Sequence, residues 1–159
     1  QFYPSHANGA VGALIEVDPA TGLIDIQQIW IVSDHGVLLN PLILQGQTKG
    51  GVVQQIGSTI YENLEYDERG IPKQSTLKEY GMPTIWAAPE IVIEHLESKS
   101  PATSVGAKGG GEDGCIATTT VIMGAVEDAL RPLGVKVMSS PLSPTRLRAL
   151  VEEAARLQE

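Results

Sequence analysis

A carboxylate that closes a run of glycines and precedes a helix is presented to its surroundings rather than sunk in a core. Glu112 stands in that position. The run Gly106-Ala107-Lys108-Gly109-Gly110-Gly111-Glu112-Asp113-Gly114 carries glycine at five of nine positions. Consecutive glycines let the backbone approach a bound molecule closely and can turn successive N–H groups inward as an anion-binding nest. A glutamate at the end of such a loop suits a general base beside a cofactor or substrate. Plainer readings use the same residues: a surface loop, with Glu112 and Asp113 complementing the start of the helix that follows. A phosphate-binding loop fits less well. Lys108 precedes the glycines instead of following them beside Ser or Thr, and no GxGxxG follows a strand. His6, His35, His95 and the single Cys115 show no metal-ligand spacing, and His95 reads as a surface or rim residue.

The elements that must position this loop are visible as hydrophobic periods. Residues 13–17 and 23–32 alternate as strands, and Asp18-Pro19-Ala20-Thr21-Gly22 joins them as a hairpin turn. Ser33-Asp34-His35-Gly36 breaks the second strand, and Asn40-Pro41 marks a further boundary. Val52, Ile56, Ile60 and Leu64 then recur every four residues, the signature of one helix face. Gly46, Gly50, Gly51 and Gly57 in this stretch each cost roughly 1 kcal/mol against Ala if exposed, so close packing or a ligand is expected there. Residues 90–97 predict a strand. Ile122, Val126 and Leu130 predict a helix ending near Pro132-Leu133-Gly134, and residues 135–138 a short strand. Ser143 and Pro144 open a last helix with the stripe Leu147, Leu150, Val151, Ala154 and Leu157. The order predicts an α+β fold, a β-hairpin and further strands packed with about three helices, in a single domain over residues 1–159.

Composition narrows the function. A length of 159 residues suits one ordinary domain, and a net charge of −8 argues against a nucleic-acid surface. No apolar run approaches the ~18 residues that a membrane span needs. One cysteine excludes an internal disulfide framework and points to a reducing, cytoplasmic setting. The chain opens Gln1-Phe2-Tyr3-Pro4 without an initiator Met or a signal-peptide pattern, as expected of a processed chain, a separate subunit or an excised domain.

An ordered set of motifs then resembles one family. It comprises Ile15-Glu16-Val17-Asp18-Pro19-Ala20-Thr21-Gly22, Asn40-Pro41, the stretch from Gln45-Gly46-Gln47 to Gln54-Gln55-Ile56-Gly57, Glu62, Tyr66-Asp67, Tyr80-Gly81-Met82-Pro83, Lys108-Gly109-Gly110-Gly111-Glu112, and Glu127-Asp128-Ala129-Leu130. Together they resemble the C-terminal part of the molybdenum-binding subunit of the xanthine dehydrogenase, aldehyde oxidase and carbon monoxide dehydrogenase family. The resemblance implies a molybdopterin cofactor, in the cytosine dinucleotide form, held mainly by the remainder of a larger molybdopterin-binding subunit. It implies iron–sulfur clusters and FAD on partner subunits or domains. The implied reaction hydroxylates an electron-poor carbon of a small molecule (an aldehyde, a purine or an N-heterocycle) with oxygen derived from water. By position, Glu112 corresponds to the catalytic base and Gln47 to a glutamine that contacts the pterin. Lys108, Gly109, Gly110 and Gly111 correspond to the segment lying against the cofactor, and no residue is expected to ligate the metal. Asp113-Gly114 departs from what often follows the glutamate, and Asp113→Asn is expected to cost far less than Glu112→Gln, because Asp113 lies outside the matched motif. The chain alone is expected to be inactive. The alternative is a non-catalytic structural or assembly module of such a complex.

Overall fold

Alternation of apolar and polar side chains builds a three-stranded sheet. The computed structural model describes residues 5–158; Gln1–Pro4, the opening run noted above, and Glu159 lie outside the described residues. Strands β1 (Asn8–Asp18) and β2 (Leu23–Asp34) form the expected antiparallel hairpin. Its turn is held by Gly22 N–H donating to the Asp18 carbonyl at 2.8 Å. The Asp18 carboxylate accepts from Ala20 N–H at 2.9 Å and Thr21 Oγ1 at 2.6 Å. Gly22 has φ +76°, a left-handed value that glycine adopts without strain. Strand β3 (Glu90–Leu96) pairs in parallel with β2, so the sheet is mixed, in the order β1-β2-β3. A parallel neighbour requires a long crossover, and this one carries helix α1 (Pro41–Ile56).

Helix α1 starts where Asn40 caps it, accepting from Ile43 N–H at 3.2 Å, with Pro41 in the first turn. Val52 and Ile56 are fully buried, and the chain continues into one π-helical turn, Gly57–Tyr61, that buries Ile60. Leu64 is exposed and does not join the stripe, because helical geometry ends at Tyr61 and Glu62 is extended. A short helix α2 (Leu77–Tyr80) follows, closed by a Thr76–Glu79 capping box. Beyond β3 come α3 (Asp113–Ile116), α4 (Thr118–Ala129) and α5 (Pro144–Arg156), the last capped by Ser143 as expected.

The core joins Ile29 and Ile31 of β2, Val52 and Ile56 of α1, Ile122 and Val126 of α4, and Leu142 and Leu147 near α5. The α+β architecture with three long helices agrees with the sequence. Two details do not. Residues 135–138 form no strand, although Val135 and Val137 are buried. Their backbone is instead pinned to α4, where Glu127 accepts from Val137 N–H and from the Lys136 ammonium, both at 2.9 Å, so no partner strand is needed. Leu157 lies past the end of α5 and is exposed, while Leu150 and Val151 pack on the core only in part. Among the described residues no helix is long and apolar enough to cross a membrane.

Candidate functional site

At its C-terminal end β2 turns from apolar core to buried polar groups: Ser33, Asp34 and His35. Buried polar groups require partners, and these draw the glycine loop against the sheet. Asp34 accepts from the Lys108 ammonium at 2.8 Å and from the N–H groups of Gly36 and Ser98, each at 3.0 Å. Both ends of the Asp34–Lys108 pair are only 11% exposed. Gly36, at φ +62°, lets the chain pass so close to the loop that a Cβ there would overlap the Gly106 carbonyl. Val37 N–H donates to Gly106 O at 3.1 Å and Lys108 N–H to His35 O at 2.7 Å. Lys108 thus spends its charge on Asp34, and it also borders a cavity described below.

The Lys108 ammonium, with help from the N–H groups of Gly36 and Ser98, holds the Asp34 carboxyl well below the usual carboxylate range. A depressed folded-state pKa stabilises the fold fully above the unfolded-state value, and that stabilisation fades as pH falls toward the folded value. The Asp34→Asn variant is therefore expected to be less stable than wild type at neutral pH. The gap should hold constant down to about pH 4 and narrow below it. Denaturant unfolding at a series of pH values checks this; a gap that stays unchanged well below that point would contradict the assignment.

Beyond Lys108 the loop is secured from beneath. His35, 2% exposed, donates from Nδ1 to the Gly109 carbonyl at 3.0 Å. Its Nε2 lies 3.4 Å from the Asp113 carboxylate without an aligned hydrogen bond. The same Asp113 oxygen accepts from Ser33 Oγ at 2.6 Å and from Thr48 Oγ1 at 3.4 Å, so Asp113 joins β2, α1 and the loop. Asp113 is therefore a structural tie, whereas Glu112 beside it is not held in this way. Gly114 then presses on α1, where a Cβ would overlap the Thr48 carbonyl oxygen, and Gly51 answers it from α1 against Cys115. Of the four glycines expected to serve close packing or a ligand, Gly51 and Gly57 pack closely, the latter against Glu62 and Pro83, whereas no described residue lies within 4 Å of a Cβ built on Gly46 or Gly50.

Two cavities flank the loop. One, about 270 Å³, is bordered by Leu39, Ile43, Leu44, Gln47 and Lys108. The other, about 520 Å³, is bordered by Asn8, Val11, Glu112, Asp113 and Ile116. His35, Gly110 and Gly111 border both. The loop is thus a partition, with Gln47 on one side and Glu112 on the other. Gly109 and Gly111 have no positive φ, and among the described residues nothing lies within 4 Å of a Cβ built on either. Neither conformation nor internal packing calls for glycine at those positions, which is what a surface closely approached from outside requires. Among the described residues nothing accepts from the N–H groups of Gly109, Gly110 and Gly111, which leaves three adjacent donors for a bound group. Glu112 is exposed and makes no capping hydrogen bond. His35, Ser33 and Asp34 escaped the sequence reading, although their place at the end of a buried strand, just before Gly36, was a usable signal. His95 is the next-to-last residue of β3 and half-buried, its ring 5.7 Å from that of His35.

With this geometry in hand, comparison with known proteins is specific. Residues 1–89 match the family described as molybdopterin cofactor-binding domain. The chain is 38% identical over 144 residues to the nicotine 6-hydroxylase large subunit of Paenarthrobacter nicotinovorans, covering 91% of this chain and 18% of that protein. It is 34% identical over 134 residues to the xanthine dehydrogenase molybdenum-binding subunit of Escherichia coli O157:H7, covering 84% of this chain and 17% of that one. The crystal structure of quinoline 2-oxidoreductase from Pseudomonas putida 86 superposes with a TM-score of 0.89 at 37% identity, over 92% of this chain and 19% of that one. The chain therefore spans roughly a fifth of the length of the relatives it matches.

Proposed function

Because the chain belongs to the molybdopterin cofactor-binding domain family, as the C-terminal molybdenum-binding portion of xanthine dehydrogenase and aldehyde oxidase type subunits, we propose that it supplies the base and part of the cofactor wall of a molybdenum hydroxylase. The observation that carries the reading is the partition. Among the described residues, Gly109–Gly111 offers N–H donors without a partner, with open space at Gly109 and Gly111, on a loop that divides Gln47 from Glu112. These residues fit a flat, hydrogen-bonding cofactor. Gln47 would hold its heterocycle and the glycine backbone would lie against it. When bound, the cofactor supplies a redox centre that activates water and takes up two electrons.

The overall change is R–H plus water giving R–OH, two protons and two electrons. Glu112 takes one of those protons at a carboxylate oxygen, and general-base assistance of this kind contributes typically about 10²–10⁴-fold. The 520 Å³ cavity beside it is large enough for a small aromatic substrate. Three relatives named above are named for nicotine, xanthine and quinoline, all N-heterocycles, which favours an electron-poor ring carbon next to nitrogen over an aldehyde. One cysteine cannot hold an iron–sulfur cluster, so the electrons leave through clusters, and then FAD, on other parts of the complex. Trp86 and Ile85, 93% and 80% exposed, are apolar surface of the kind that packs against a neighbouring part of an assembly, here the remainder of the large subunit.

The test uses the assembled complex. Gln47→Ala removes a hydrogen bond to a heterocycle and is expected to weaken cofactor retention by about 1–3 kcal/mol, lowering molybdenum content with iron content unchanged. Full molybdenum occupancy in that variant would remove Gln47 from the cofactor wall. The wild-type complex should oxidise quinoline faster than benzaldehyde with an artificial electron acceptor; the reverse order would move the substrate class to aldehydes.

A further inference from the structure

The proposed reaction assigns no task to His35, yet this residue is closely tied to the loop that bears Glu112. It is buried and reaches the loop at four places. Its carbonyl accepts from Lys108 N–H at 2.7 Å, and its Nδ1 donates to Gly109 O at 3.0 Å. Its ring fills the space a Cβ on Gly110 would need, with Nδ1 at 3.1 Å and Cε1 at 3.3 Å from that position. Its Nε2 faces the Asp113 carboxylate at 3.4 Å. Gly111 and Glu112 are left to span the interval between these holds. Glu112 makes no capping bond of its own, so its carboxylate takes its place from the backbone that carries it. Three successive glycines give that backbone wide freedom unless it is held at both ends.

We propose that His35 is a positioning residue for Glu112, fixing the reach of its carboxylate into the larger cavity by holding the loop at Gly109 while Ser33 and Thr48 hold Asp113. The proposal rests on the reading of Glu112 as the base. It explains why a histidine is buried at the end of β2 and why Gly110 is glycine: the His35 ring and Leu44 leave no room for a Cβ. Nδ1 carries the proton in this arrangement, since a carbonyl oxygen only accepts.

The test compares His35→Ala and His35→Asn in the assembled complex, each alone and combined with Glu112→Gln. An asparagine amide keeps a donor close to the Nδ1 position, whereas alanine keeps none. His35→Ala is expected to leave molybdenum content unchanged and to speed amide hydrogen exchange of the peptide spanning Gly109–Asp113. It should lower kcat on quinoline by about tenfold or more with KM within about twofold, the pattern of a displaced base. His35→Asn should recover most of the exchange protection and most of kcat. In the Glu112→Gln background His35→Ala should cost almost nothing further. The proposal is overturned if His35→Ala keeps wild-type exchange and kcat. It is equally overturned if alanine and asparagine behave alike, or if the loss is undiminished in the Glu112→Gln background. If the alanine variant does not assemble, the asparagine variant decides: near-wild-type kcat and exchange support the clamp, and a large loss refutes it. Full turnover by Glu112→Gln alone would sink the base reading, while the exchange data would still show whether His35 holds the loop.

Discussion

Gly114→Val is expected to lower both the stability and the turnover of the assembled protein sharply. Gly114 is buried where α3 meets α1. A Cβ there would overlap the Thr48 carbonyl oxygen and stand 2.8 Å from Val52 N and 3.1 Å from Thr48 C. Those are backbone atoms of a helix, so no side-chain rotation relieves the contact, and α3 must move away from α1. Overpacking of this kind costs about 1–3 kcal/mol, and more where backbone must shift. The displacement also reaches the chemistry. Asp113 would lose its hydrogen bonds to Ser33 and Thr48, and Glu112, two residues from the clash, would leave its place beside the larger cavity. A misplacement of about 1 Å can cost on the order of a hundredfold in rate. Gly124→Ala is the control: Gly124 sits in α4 with nothing within 4 Å of a built Cβ, and alanine there should be neutral or stabilising by up to about 1 kcal/mol. Thermal unfolding and turnover of both variants check the contrast. A Gly114→Val protein that melts and turns over like wild type would show that α3 does not depend on this contact.

Much of the fold could be read from local pattern, because the hairpin and the long helices are written in periods of two and of about four residues. Ile29 and Ile31, Val52 and Ile56, and Ile122 and Val126 all reach the core as their spacing predicts. The misreadings share a cause. Whether Leu64 and Leu157 are covered depends on where a helix stops, and whether residues 135–138 become a strand depends on a partner that the chain does not place beside them. Period alone holds neither fact. The site shows the same limit. The glycine run and Glu112 stand out as composition, whereas the groups that hold them come from distant sequence: Lys108 and Asp34 are 74 positions apart, and Ser33 and Asp113 are 80 apart. A buried histidine and a carboxylate look incidental until the sheet end and α1 bring them under one loop.

The central claim is that Glu112 acts in the chemical step and not in holding the cofactor. Replacing it with glutamine keeps its size and hydrogen-bonding shape but removes the basic oxygen pair. Because Glu112 borders the larger cavity, away from the groove that contains Gln47, the change should leave the cofactor wall intact. Loss of a general base typically costs about 10²–10⁴-fold. The most direct measurement is the molybdenum content and the quinoline-dependent turnover of the same preparations of wild-type and Glu112→Gln complex. The account predicts molybdenum near the wild-type level with turnover lower by at least about a hundredfold. A molybdenum-replete Glu112→Gln complex that turns over like wild type would contradict it.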